Sequence, residues 1–250
     1  MTKLLMTALL SILLALCDQA FAGDLDKALA AASRPDADKK LDERRHPGDV
    51  LRFLGVKPGM AVFDVFAGGG YYTEILSSLV GPEGYVVHYS NVPWEAFAKQ
   101  SIDLRFKDNR LPNVERLVAP PEALRHHAAE FDVALFVLGM HDIYYADPDT
   151  GWVAIDAAVF ASGIFDLLKP GGVLGVIDHN ALPGAEVAVT AEKLHRIDPA
   201  VIIAELTSAG FVLEASSDRL ANPDDDKNTS VFLPENRFQT DRSLLRFKKP

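Results

Sequence analysis

The chain of 250 residues has a single cysteine, Cys17, and no apolar run long enough to cross a bilayer. One thiol excludes an intrachain disulfide, and its place in the leader described below excludes thiol catalysis by the mature chain. Positive charge is scarce: 25 Lys and Arg stand against 35 Asp and Glu, a formal net charge of -10. Such a surface repels phosphates and releases no counterions, which argues against nucleic acid as a partner. The longest apolar stretch, Leu4 to Leu16, spans 13 residues, short of the roughly 18 needed for a transmembrane helix.

Lys3 before that stretch and Ala20-Phe21-Ala22 after it complete the pattern of a secretion signal cleaved before Gly23. The expected location is therefore periplasmic or secreted, with no stable membrane insertion after signal removal. Leu14-Ala15-Leu16-Cys17 has the outline of a lipoprotein box, but Leu16 occupies a small-residue position, so lipidation at Cys17 ranks second.

The chain as a whole is 48% hydrophobic and 24% charged, the composition of an ordinary globular domain. Three segments follow: a signal peptide over 1–22, an N-terminal arm over 23–45, and one domain over 46–250. The arm, rich in Ala, Asp, Lys and Arg and interrupted at Arg34-Pro35, is expected to be a short helix followed by a loosely packed stretch. Beyond it, strand patterns fall at Ala61 to Phe66, Gly84 to Tyr89, Val114 to Ala119, Phe131 to Leu138, Gly172 to Asp178, Phe211 to Ser217 and Leu244 to Lys248. Helical periodicity separates them, except that no helix lies between the last two. This order predicts an α/β fold: a doubly wound seven-stranded sheet, mostly parallel, closed by an antiparallel C-terminal hairpin.

The most informative segment is Ala61 to Leu76, an apolar strand carrying Asp64, then Ala67-Gly68-Gly69-Gly70, then an amphipathic start at Tyr71. A glycine turn at a helix N-terminus offers bare backbone N–H groups beside a carboxylate, and in doubly wound sheets the first such turn is the usual ligand cradle. The dinucleotide pattern G-x-G-x-x-G fails at Thr73 and no acidic residue ends the second strand, which disfavours a nicotinamide cofactor.

Val62 to Gly70 resembles motif I of class I S-adenosylmethionine-dependent methyltransferases, and Leu168-Lys169-Pro170-Gly171-Gly172-Val173-Leu174 resembles their run into the fifth strand. With the leader and Gly68-Gly69-Gly70-Tyr71-Tyr72-Thr73-Glu74, the chain looks like exported members of that family. The resemblance implies a Rossmann-like methyltransferase fold over about residues 46 to 250, S-adenosylmethionine as cofactor and a small-molecule substrate as partner. It also implies cofactor-binding roles for Asp64, Phe66, Ala67, Gly68, Gly70, Tyr71 and Asn91: Asp64 ordering the turn and the methionine amine, Gly68 and Gly70 letting the backbone approach, and Asn91 standing where an acidic residue commonly grips the ribose. Phe66 occupies the position of the motif's usual first glycine.

Two further loops are expected on the same rim, Gly139 to Tyr145 after the fourth strand and Asp178-His179-Asn180 after the fifth. His141 or Asp142 is the candidate catalytic base for an acceptor hydroxyl or amine, with Tyr71, Tyr144 and Tyr145 as pocket walls and an arginine among Arg44 and Arg45 for the cofactor carboxylate. Three alternatives stay open: Asp142 and Asp178 as simple caps, a hard-metal set of Asp142, Asp178 and Asn180, and a metal-dependent enzyme built on His141, Asp142, Asp178 and His179. A non-catalytic small-molecule-binding protein on the same fold is the remaining reading.

Overall fold

The computed structural model describes residues 23–250 apart from position 127; the leader, its cleavage site and Cys17 lie outside the described residues. Strands β1 (Ala61–Val65), β2 (Tyr85–Ser90), β3 (Val114–Val118), β4 (Phe131–Val137), β5 (Leu168–His179), β6 (Val212–Ser217) and β7 (Arg242–Lys248) form one sheet. Their order is β3-β2-β1-β4-β5-β7-β6. β1 pairs in parallel with β2 and β4, β2 with β3, and β4 with β5, whereas β7 runs antiparallel to both β5 and β6. The expected doubly wound sheet is observed. Its last two strands pair antiparallel as expected, with β7 inserted between β5 and β6.

Ala-Val-Phe-Asp-Val of β1 is buried at every position, as a central parallel strand must be when helices cover both faces. One face packs Phe63, Phe66, Tyr89, Phe136 and Phe160 in a largely aromatic core, and the other packs Val62, Ile75, Leu76, Val86 and Leu135. Helices α1 (Asp36–Arg45), α2 (Pro47–Leu54), α3 (Tyr71–Val80), α4 (Val92–Arg105), α5 (Ala157–Leu167), α6 (Val187–Leu194) and α7 (Pro199–Ser208) supply the covering layers. α6 and α7 are separate because Asp198 caps Ala200 N–H at 2.9 Å and Pro199 opens the second helix. Between β3 and β4, where helical periodicity predicts a helix, there is only a 3-10 segment, Pro121–His126.

The arm departs from expectation. Residues 23–30 are helical and lead towards α1, Leu25 and Ala28 are buried in the second core cluster, and Arg34 makes a bidentate pair with Asp42 at 2.7 and 2.8 Å. Two apolar side chains spaced i, i+3 and one buried guanidinium are enough to seat a mostly polar segment. The arm is packed along its length: Asp24, Lys27 and Ala28 lie beside Pro58 and Gly59 ahead of β1, and Asp38, Leu41 and Arg45 of α1 reach the carboxyl end of the sheet.

Candidate functional site

At the carboxyl ends of β1, β4 and β5 the strand order reverses, and there a cavity of about 610 Å3 opens, lined by the turn after β1, by α1, by α4 and by the loop after β4. This is the switch point at which open α/β sheets bind ligands.

The β1 turn is held from several sides. Phe66 adopts φ 46, the left-handed backbone a glycine would take without strain. Its ring compensates by stacking on Tyr89, Trp94 and Phe160 at 5.3, 5.7 and 5.3 Å between centroids. Leu138, the residue after β4, is also left-handed at φ 56 and also lines the cavity; strained backbone thus ends both central strands at the site. A Cβ on Gly69 would come within 2.7 Å of Ser101 Cβ, and one on Gly70 within 2.8 Å of Arg105 Cδ. Arg105 Nε donates to the Gly69 carbonyl at 2.6 Å, while His88 Nε2 lies 3.0 Å from the Gly68 carbonyl. The turn is fixed by close packing and by two side chains sequence reading did not single out.

Asp64 lies buried at the foot of the turn and accepts from Thr73 Oγ1 at 2.6 Å. Burial drives its pKa up to about 7, with the Thr73 bonds and Arg105 only partly offsetting the cost of removing the charge from water. This carboxyl is therefore poised to ionise when a cation arrives.

The arm supplies the opposite wall. Arg45 stacks over the Tyr71 ring, 4.5 Å from its centroid, and is in ion-pair range of no carboxylate among the described residues. Tyr71 Oη donates to Asp42 Oδ1 at 2.6 Å. Arg105 joins α1 to α3 and α4 through Asp38 at 2.7 Å and through Glu74, which also meets Arg110 at 2.6 Å. Trp94, Phe97 and Trp152 line the far end; Trp94 Nε1 is buried without a hydrogen-bond partner.

The third wall is polar. His141 Nδ1 lies 2.8 Å from Asp178 Oδ1, and its backbone N–H donates to Asp178 Oδ2 at 2.9 Å. The loop after β4 is thereby locked to the end of β5. His141 Nε2 faces Asp142 Oδ1 at 3.3 Å, and His195 Nδ1 approaches the same oxygen at 3.7 Å. Burial opposes a charge on His141, but Asp178 and Asp142 outweigh it and raise the imidazole to about 9. Asp178, which burial alone would raise, is held below the usual carboxylate range by His141. His179 is pushed by burial down to about 3 and bonds Thr240 Oγ1 at 2.7 Å.

Of the residues singled out from sequence, Asp64, Phe66, Ala67, Gly68, Tyr71, His141 and Asp142 line the one cavity, as do Arg45 and Tyr145. Gly70 and Asn91 do not: Gly70 makes room for Arg105, and Asn91 Oδ1 caps α4 by accepting from Trp94 N–H at 3.1 Å. Arg44 and Tyr144 also lie off the wall, Tyr144 Oη donating to Glu205 at 3.0 Å. The oxygen set Asp142, Asp178 and Asn180 is not assembled. Asn180 Oδ1 accepts from Ser243 N–H at 3.1 Å and its amide donates to Asp241 at 2.8 Å, while both Asp178 oxygens are taken by His141. The two carboxylates favour a proton on His141, which disfavours the imidazole as an acceptor of one until a competing cation displaces it. His88, Trp94, Arg105, His195 and Phe232 were missed; only His88 carried a signal, as a lone histidine in an apolar strand beside Asp64 in register.

Residues 43–115 match the family of protein-L-isoaspartate(D-aspartate) O-methyltransferases. No curated relative matches the sequence. Among solved structures, an S-adenosylmethionine-dependent methyltransferase from Aquifex aeolicus superposes with a TM-score of 0.58 at 19% identity, over 87% of this chain and 99% of that one. An arsenic(III) S-adenosylmethionine methyltransferase from Chlamydomonas reinhardtii gives 0.54 at 16% identity, over 90% and 73%. The 4+2 cyclase SpnF gives 0.56 at 15% identity, over 83% and 81%. The fold is that of class I methyltransferases, and one neighbour on it carries out a different reaction.

Proposed function

We propose that this protein is an exported S-adenosylmethionine-dependent methyltransferase acting on a small-molecule acceptor. The observation that carries the reading is the β1 turn itself, opening onto the cavity between buried Asp64 and Arg45, the one an anion-forming acid and the other a cation with no carboxylate partner among the described residues. An amino-acid head group needs those two charges. The partial family match covers this same turn.

The residues fit the cofactor. Asp64 would hold the methionine amine, Arg45 the carboxylate, and the backbone of Ala67, Gly68 and Gly69, which line the cavity, would face the cofactor. Trp94 and Phe97 offer aromatic faces to a purine, and Trp94 Nε1 lacks a partner in the protein. When bound, the cofactor supplies a sulfonium methyl group open to nucleophilic attack. Tyr145, Trp152 and Phe232 give the acceptor side an aromatic lining, and Asp142 would take up a proton from the acceptor as it attacks. The secretion signal supports export, and fractionation of cells expressing the full chain tests it.

Calorimetry with S-adenosylmethionine is the direct test: binding in the micromolar range is expected, together with passage of label from a methyl-labelled cofactor to a component of a small-molecule extract. No heat and no thermal shift at saturating cofactor would sink the reading. A second reading, binding without transfer, is favoured by one observation: Asn91 is committed to its helix cap, leaving the end of β2 without a ribose-gripping acid. Cofactor binding with no labelled product in any extract is its expected signature.

A further inference from the structure

Asp142 is buried on the cavity wall and Asp178 is buried behind His141, and among the described residues neither meets a lysine or arginine; their ion-pair partners are His141 and His195. Two buried carboxylates around imidazoles leave an excess of negative charge that the fold must balance. We infer that His141, Asp142 and His195 form a binding site for a divalent late first-row transition ion of the zinc class.

The geometry supports this in three ways. His141 Nε2, Asp142 Oδ1 and His195 Nδ1 all lie within 4.8 Å of one another, with 3.3 and 3.7 Å from the shared carboxylate oxygen to the two imidazoles. Ligand atoms bound at about 2.0–2.2 Å around one ion are themselves roughly 3–3.6 Å apart, so the His141–Asp142 contact already fits and His195 must move closer to both. His195 ends α6, is partly exposed, and is held against the rings of His141, Tyr145 and Phe232.

Next, His141 is oriented as a metal ligand is. Its Nδ1 is tied to Asp178, itself held by two backbone N–H groups, of His141 and His179, which leaves Nε2 directed to Asp142; a carboxylate behind a histidine is the usual outer partner of a bound transition ion. Two nitrogens and one oxygen also suit zinc-class ions and not magnesium or calcium, which take oxygen ligands.

Finally, the three side chains line the cavity, so coordination positions beyond them open onto it. An acceptor bearing a hydroxyl, thiol or comparable donor atom binds the ion there. That role rests on the methyl-transfer reading; binding of the ion does not.

Cobalt(II), which reports its ligands by visible absorption, is titrated into chelator-treated full-length protein, followed by zinc. One equivalent of cobalt, displaced by one of zinc, is expected. Asp178→Asn weakens cobalt binding by about 10–100-fold. His195→Gly, which relaxes a backbone at φ 53, abolishes it while the melting temperature holds. No stoichiometric uptake, or uptake unchanged in His195→Gly, overturns the site; if His141→Ala does not fold, the His195 variant still decides. Calorimetry with S-adenosylmethionine on the metal-free protein is run in parallel. Metal uptake without cofactor binding removes the methyl-transfer reading and leaves the ion site, and the reverse result does the opposite.

Discussion

Cofactor binding should depend on pH through Asp64. In the free protein this carboxyl is raised to about 7 by burial, so below that pH it is mostly neutral. A cationic methionine amine favours the carboxylate, and binding at low pH must expel a proton. Affinity therefore rises from pH 5 to 7 and levels off above. The ratio between the plateau and pH 5 follows from two units of protonation, about 100-fold or about 2.7 kcal/mol. The same burial has a stability consequence of fixed sign. Because the folded value lies above the unfolded 3.8, the group destabilises the fold progressively as pH rises from about 4 to about 7. At pH 8, Asp64→Asn, which can keep the Thr73 contact without a charge, should thus be more stable than the parent by up to about 4 kcal/mol. Calorimetry at pH 5, 6, 7 and 8 in buffers of different ionisation enthalpy counts the proton, and urea unfolding at pH 8 gives the stability difference. Affinity flat with pH, or the same slope in Asp64→Asn, would refute the reasoning.

Phe66→Ala keeps the left-handed strain and opens a cavity in the aromatic stack, a loss of about 3–5 kcal/mol. Phe66→Gly loses the same ring but removes about 1 kcal/mol of strain, so urea denaturation should rank it above the alanine variant. Arg105→Met leaves Asp38 without its pair and frees the Gly69 carbonyl, and should cost about 3–5 kcal/mol, with limited proteolysis showing early cleavage within residues 23–45. Arg45→Gln should weaken cofactor binding at least about tenfold, the worth of one charged hydrogen bond, while unfolding midpoints shift little.

The fold was legible because its signals are local. Alternation of buried strands and amphipathic helices, Pro199 opening α7 and the glycines after β1 are written within windows of a few residues. Segments whose structure depends on distant partners were not legible. The arm is polar and weakly periodic, and part of what holds it is distant in sequence: Asp38 meets Arg105, 67 positions away. From sequence, Asn91 is expected at the ribose, but an amide at a strand end can also cap a helix, and the position of Trp94 N–H decides for the cap.

The site divides along the same line. The sequence alone determined that a glycine turn follows Asp64 at the head of an α/β sheet, and that His141 and Asp178 end neighbouring strands, because these follow from strand order and turn chemistry. The tertiary structure alone decided their chemistry. Burial lifts Asp64 to about 7, the Asp178 carboxylate locks His141, and His195 arrives from the end of α6 beside Asp142. Charge, desolvation and ligand geometry depend on which side chains meet across the sheet, and no window along the chain contains that information.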